Sequence, residues 1–454
     1  MNMENFKTIL LINLVAISLF LSYSLWTSQP ASNSFQQQKY VQDDAVIAKK
    51  EVSDLIFPSR MIVHKGNAHI ASEQNVYIND MYKALEQGEF HDFKDVSYKV
   101  SIKEFLSFVH GDNKTELEFT TDIPFDAMKS VFSIKDKGLS NYSFDRIVIN
   151  FDPGISHDDA IKTYFISYDK RKIYEMTLKG YKLKQLENIR NQFTAKGGKD
   201  YFMYRLDDAR AVFLPEAEVA LPSIPYVTSE LPEEMFKNAL FTDPRYVKKD
   251  ETETEETYTD GTRLLQVNKG TQMLNYENSS VSSNEYVTAG LLVQRSINSI
   301  NSHGGWTDSY RFHYVSPKKG ETVFRLYADN SYPVFSEKEM ASLKQTWGVE
   351  ELSTYKRPLF KLLLKGEEEE STKLPSGRAV IALLEKMPNA DMKNIKSIDF
   401  GYEMVPEVGM SGGKINVIKL KPIWFISYES AKNGQLYKKI SWDTVKGGDL
   451  IGLE

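Results

Sequence analysis

The chain has 454 residues, of which 41% are hydrophobic, 12% aromatic and 26% charged; its formal net charge is −6 and it contains no cysteine. This composition can bury real cores and excludes a disordered scaffold, while the lack of a dense Lys/Arg stripe argues against nucleic acid as a partner. The missing cysteines exclude disulfide frameworks, thiolate nucleophiles, Cys-ligated zinc and a lipidated cysteine anchor.

At the N-terminus, Ile9 to Trp26 runs without a charge. At ~1.5 Å per residue this is roughly 27 Å of helix, enough to span a hydrocarbon core. Lys7 precedes the run and no Lys or Arg follows until Lys39, so residues 1–8 are expected in the cytoplasm and everything after Trp26 outside. Tyr23 and Trp26 form an aromatic anchor at the outer headgroup level. The rival is a cleaved signal peptide, but the run exceeds the about 7–15 residues usual there, and Thr27-Ser28-Gln29-Pro30 lacks a small-x-small cleavage site. Within the span, Asn13 and the pair Ser18/Ser22 are candidate contacts for another helix; the bland alternative is that a few small and polar residues occur by composition.

Residues 27–50, rich in Ser and Gln, read as a stalk. The length suggests about three domains at ~150 residues each, and three extracytoplasmic α+β domains with antiparallel sheets are expected, at 51–241, 242–350 and 351–454. In the first, Ser101 and Glu104 form a capping box, Asn79 caps a short helix ending at Gly88, and Pro124 fits a first helical position. Arg146–Phe151, Tyr164–Tyr168 and Lys172–Leu178 alternate as strands. Residues 243–261 are acidic and aperiodic, as expected of an exposed linker or solvated loop.

Beyond it, Thr262–Val267 pairs with Gln272–Tyr276, a helix runs from Glu285 to Asn301 and stops at Gly304-Gly305, and Tyr310–Val315 and Thr322–Tyr327 are strands. Ser336 and Glu339 predict a capped helix ending at Gly348. The last block begins with a helix at Arg378–Met387, ended by Pro388, and continues with strands Ile395–Met404, Asn416–Tyr428 and Leu436–Trp442. Asn433-Gly434 signals a hairpin, and Leu420, Trp424, Ile426 and Tyr428 share one strand face. The repeated order of helix then antiparallel strands suggests that the last two domains are a diverged duplication.

No constellation completes a reaction centre. Gly409-Met-Ser411-Gly-Gly413 matches a nucleophile elbow in form, but a β-alternating run follows where a helix is needed, and the last histidine, His313, precedes it. Asp152-Pro-Gly-Ile-Ser156-His157-Asp158-Asp159 gathers metal-ligand types, yet reads better as a helix N-terminus or plain acidic turn. His64, His69, His91, His110, His157, His303 and His313 show no metal-binding spacing; they meet only by tertiary accident. Neither Gly198-Lys199-Asp200 nor Gly413-Lys414-Ile415 completes a P-loop, and Glu367–Glu370 is a solvated run rather than a glycosidase pair. Trp306, Trp347, Trp424 and Trp442 are better explained as core than as a binding groove. No catalytic residue, cofactor or metal is expected.

Several strings carry a resemblance: Glu4–Leu11 with the exit Leu25–Pro30, Asp260-Gly-Thr-Arg263, His303-Gly-Gly-Trp306-Thr-Asp308 with Tyr310-Arg311-Phe312, Tyr332-Pro-Val-Phe335 and Lys421-Pro-Ile-Trp424. In order and spacing, over the whole chain, they resemble the YycH family, membrane-anchored regulators of the WalK/WalR (YycG/YycF) two-component system of low-GC Gram-positive bacteria. The resemblance implies a non-enzymatic, single-pass membrane protein with three extracytoplasmic domains, the last two similar to its partner YycI. With that partner it acts on the sensor histidine kinase WalK, in part through transmembrane helices, and so on cell-wall homeostasis; the sign of the effect stays open. The rivals are an extracytoplasmic sensor of a wall fragment and a wall-modifying enzyme.

Overall fold

The structure is a computed structural model that describes residues 11, 14–19, 49–281, 287–369, 371–387, 390–408, 415–430, 434–441 and 449–453. The chain divides into two units, Met1–Val46 and Ile47–Glu454. In the first, residues 14–19 are helical and exposed, Leu14, Val15, Ile17, Ser18 and Leu19 among them. No helix among the described residues is long and apolar enough to cross a membrane; most of 9–26, including Asn13, Ser22, Tyr23 and Trp26, lies outside them, as does Lys7.

The second unit is mixed α+β. Ten strands form its first sheet: β1 (Arg60–Lys65), β2 (Ala68–Ser72), β3 (Glu89–Asp95), β4 (Lys114–Pro124), β5 (Ser133–Ile134), β6 (Ser143–Asn150), β7 (Ile161–Ser167), β8 (Lys172–Lys179), β9 (Lys199–Asp207) and β10 (Arg210–Pro215). Their order is β10-β9-β2-β1-β4-β6-β7-β8-β3-β5, antiparallel except for β3 with β5. Period-2 alternation sends Met61, Val63, Leu117, Phe119, Ile147 and Ile149 to one face, where they enter the main core. Helix Ile102–Val109 covers the other face with Phe105, Leu106 and Val109, packed on Val148 and Ile166. Its expected Ser101/Glu104 capping box is present.

Strands Val219–Pro222 and Ile224–Glu230 leave this sheet and pair far along the chain, with Ser371–Leu374 and with Phe360–Lys365 and Ile415–Ser430 respectively. The second large sheet has fifteen strands, built around the long antiparallel pair Ile395–Val408 and Ile415–Ser430. Helix Ala289–Ser302, capped by Thr288, lies close to the expected position; it ends at His303, where Gly304 and Gly305 take φ of 89° and 58° and the Gly305 amide donates to the Ile300 carbonyl at 2.8 Å. A Cβ at Gly304 would stand 2.2 Å from the Phe236 ring, so glycine is needed there twice over. The strands expected at 262–276, 310–327 and 395–442 form, with shifted ends, and the last hairpin pairs Ser430 with Gly434. Asn433, Pro388, Trp442 and the segment 409–413 lie outside the described residues.

Three local expectations need correction, and at Ser156 the second of two alternatives, the acidic turn, is the one that forms. Helix Asn75–Glu86 begins at Gln74, so Asn79 lies inside it rather than capping it. Ser336 and Glu339 open a turn, with Glu339 at φ 56°, and then strand Ser342–Trp347, because Ser342, Leu343 and Gln345 are buried in register with Arg325, Phe324 and Thr322 of the neighbouring strand. The acidic segment 243–261 is no free loop: Lys248–Glu251 forms the sheet edge and pairs with Glu255–Thr259, which pairs in turn with Arg263–Asn268. Their charged side chains are those that protect a sheet edge from further pairing. Ser156 begins no helix; its hydroxyl donates to the Asn150 carbonyl at 2.6 Å and accepts from the Lys162 amide at 3.0 Å, pinning an acidic turn.

Candidate functional site: a buried charged network

The same alternation that packs one face of the first sheet places charge on the other. Arg60 and His64 of β1, Lys114, Glu116 and Glu118 of β4 and Arg146 of β6 share that face, with Arg60 and Arg146 both opposite Glu118 in register. His69 stands directly across the β1–β2 hairpin from His64, and helix Ile102–Val109 delivers His110 at its C-terminal cap. Phe213 of β10 closes the cluster, its ring 5.4, 5.0 and 4.9 Å from those of His64, His69 and His110.

Glu116 is the centre. Its Oε1 accepts from His64 Nε2 at 2.6 Å and from His110 Nδ1 at 2.5 Å, and its Oε2 accepts from Arg146 Nη1 at 3.3 Å. Because a carboxylate only accepts, both ring nitrogens facing it carry hydrogen. Tyr168 Oη accepts from the Ala211 amide at 3.0 Å and has two acceptors within reach of its own proton, the Ala211 carbonyl at 3.5 Å and His110 Nε2 at 2.9 Å, of which the shorter takes it. His64 Nδ1 is then left to accept from His69 Nδ1 at 2.7 Å. Each nitrogen of His64 and His110 thus has one partner with both rings neutral.

A second branch continues from Arg146. Its Nη2 lies 2.7 Å from Glu118 Oε1, Arg60 Nε stands 3.4 Å from both Glu118 and Glu73, and Tyr201 Oη donates to Glu73 at 2.9 Å. Arg60 also donates to the Phe213 carbonyl at 2.7 Å and pairs with Asp399 of strand Ile395–Val408 in the second sheet. The network therefore joins the two sheets.

Burial pushes the Glu116 carboxyl up, but its bonds to His110 and His64 outweigh this and hold it well below the usual carboxylate range, so it stays ionised. Burial pushes His110 down, opposed by Glu116. His69 is pushed down to about 4, by burial first and by His64 and His110 next. Arg146 is held above its ordinary range despite burial, chiefly by Glu118 and Asp145.

His64, His110 and Glu116 offer three donor atoms within 4.8 Å of one another, the donor types of a His2Glu zinc shell. The spacing fits protons better. Ligands ~2.0–2.1 Å from a tetrahedral ion stand roughly 3.3 Å apart, whereas both nitrogens here approach one oxygen to 2.6 and 2.5 Å. An added dication beside Arg146 would also leave buried positive charge uncompensated. The donor set does not fit a metal as arranged.

The sequence singled out none of these roles: three of its scattered histidines meet through strand register and a helix end. The motif His303–Asp308 is instead a structural hub. Trp306 Nε1 donates to Asn301 Oδ1 at 2.7 Å, Gly305 O accepts from the buried Arg357 at 3.2 Å, and Asp308 Oδ1 accepts from the Leu362 amide at 2.9 Å. Trp306 and Trp424 are buried, as expected of core, and Trp347 is partly buried.

These features define a large mixed α+β protein whose two sheets are joined by an internal charged network. The model of the YycH protein N-terminal domain matches residues 4–195 and that of its C-terminal domain residues 209–439; the chain belongs to the YycH family. It is 25% identical over 439 residues, 93% of this chain and 94% of the relative, to the two-component system WalR/WalK regulatory protein YycH of Bacillus subtilis (strain 168). The crystal structure of YycH from Bacillus subtilis superposes with a TM-score of 0.71 at 22% identity, covering 90% of this chain and 98% of that one, which establishes the fold.

Proposed function

We propose that this protein is a non-catalytic regulator of a WalK-type sensor histidine kinase, working with a YycI-like partner to tune cell-wall homeostasis. The observation that carries the reading is the match along 93% of the chain to a protein named as a WalR/WalK regulator. Residues 9–26 serve as a single transmembrane helix with the N-terminus cytoplasmic, and residues 27–50 as the stalk of an extracytoplasmic region. Through Asn13, Ser18 and Ser22 the helix packs against the kinase, and it biases signalling only so far as that packing differs between the kinase's two states. A difference of ~1.4 kcal/mol shifts their ratio tenfold.

The absence of cysteine makes the test direct. Single cysteines placed from Ile9 to Trp26 in the full chain, in membranes containing the kinase and the YycI-like protein, should crosslink with helical periodicity along two faces, one through Ser18 and Ser22 and the opposite one through Asn13. No crosslink to either protein at any position sinks the transmembrane contact. Unchanged expression of the kinase's target genes on deleting the protein sinks the regulatory reading itself.

A further inference from the structure

His64, His110 and Glu116 are buried, but His69 is half-buried at the edge of the network. With the protons placed as above, His69 Nδ1–H is spent on His64, and His69 Nε2 keeps a free lone pair. We propose that the His64–His69 ring pair is an acid-responsive latch: a proton taken up at His69 Nε2 loosens the Glu116 cluster and, through it, the Arg60–Asp399 tie between the two sheets. The step forms one N–H bond and turns one imidazole into imidazolium; nothing leaves.

The charges around the pair decide the direction. Facing it are Arg60 of β1, Lys114, Glu116 and Glu118 of β4, Arg146 of β6 and Glu73 after β2. Arg190 of helix Leu183–Lys196 donates to the His64 carbonyl at 3.2 Å, and Asp112, which accepts from the Gly66 amide at 2.7 Å, flanks it. His110, Tyr168 and Tyr201 complete the titratable set, and Asp399 lies at the far end of Arg60. Four of these groups, Arg60, Lys114, Arg146 and Arg190, carry positive charge in the acid range, and all four are buried. The new charge enters an interior in which Glu116 already serves Arg146 and two rings. A positive His69–His64 pair competes for Glu116 and withdraws it from Arg146, the link through Glu118 to Arg60.

The sign follows from burial. A ring that resists protonation in the folded chain takes its proton first in the opened one, so the latch is fully closed above the ordinary histidine range. It weakens as pH falls through that range and levels off near 4, the value to which His69 is depressed.

This reading does not rest on the kinase partner and is tested on the full chain in detergent micelles. Divided by the intrinsic, base-catalysed rate at each pH, amide exchange across 60–72 and 395–408 should report an opening constant that rises about tenfold between pH 7.5 and 5.5. His69→Gln keeps a donor for His64 but cannot titrate, and should remove most of that rise; His91→Gln, which alters a partly exposed histidine paired with Glu89, should leave it intact. Equal rises in wild type and His69→Gln, or no rise in wild type, overturn the proposal. If His69→Gln does not fold, histidine NMR of the wild type decides: an ordinary titration midpoint for His69 in the folded chain overturns the latch, and a depressed one supports it.

Discussion

The main-chain amide of Lys50 donates to Asn301 Oδ1 at 3.0 Å, and Asn301 Nδ2 donates back to the Lys50 carbonyl at 2.9 Å. Two positions separated by 251 residues thus pair as two strand residues would. The Lys50 ammonium reaches the carbonyls of Asp308 and Tyr310 and lies 5.6 Å from the Trp306 ring centroid. The start of the folded unit is fastened to the helix and hub of the C-terminal half.

Asn301→Ala removes both bonds and the acceptor of Trp306. At about 1 kcal/mol per part-buried bond, the variant should lose roughly 2–3 kcal/mol in urea unfolding with an unchanged slope. Asn301→Asp keeps the acceptor for the Lys50 amide and Trp306 and should recover part of the loss. A loss under about 0.5 kcal/mol on Asn301→Ala would mean that water replaces the clamp.

Glu116→Gln removes the charge on which Arg146, His64 and His110 converge. Breaking a buried ion pair from one side costs about 3–5 kcal/mol because the partner charge remains, and the same scale is expected here. Calorimetry of the variant should show a large drop in melting temperature. A melting temperature near wild type would show that the network contributes little to stability.

Arg60 and Asp399 join the two sheets. In a double-mutant cycle with Arg60→Met and Asp399→Asn, the coupling should be at least about 1 kcal/mol, within the range for contacting pairs. Additive losses would mean that Glu118 and Glu73 carry all of Arg60's contribution.

Lys114 is pushed down to about 8 by burial, with Glu116 opposing. Between about pH 8 and the ordinary lysine range, the unfolded chain binds a proton that the folded chain does not, so stability gains with pH there. The cost of housing its charge is present at neutral pH and relieved in alkali. Lys114→Met should therefore be most favourable relative to wild type near pH 7, and that advantage should shrink as pH rises toward 10. A pH-independent difference in unfolding free energy contradicts this.

The strands at 146–151 and 172–178 were legible in the sequence from their β-branched and aromatic residues, although apolar side chains prove to be buried on both of their faces. The capping box at Ser101 was legible because its signal is local. Ser336 and Glu339 carry the same local signal and still form a turn, since burial of Leu343 and Gln345 in a sheet outweighs a propensity of tenths of a kcal/mol. The charged network was hidden for a sharper reason. Lys114-Thr-Glu116-Leu-Glu118 alternates as a half-solvated strand does, and nothing in it says that a helix will cover the polar side. His64 and His110 become neighbours only through the β1–β4 register and the end of that helix, a relation with no local trace.

The bond from Arg60 to Asp399 spans 339 positions, which orders events in time. A chain made from its N-terminus completes β1 early, yet the guanidinium of Arg60 waits for its last carboxylate until the second sheet's long strand has been synthesised. Until then one cation of the buried ladder lacks part of its counter-charge. Truncations that stop before residue 395 should therefore yield a first sheet that forms but stays prone to proteolysis, so the integrity of the N-terminal half reports that synthesis has passed that point.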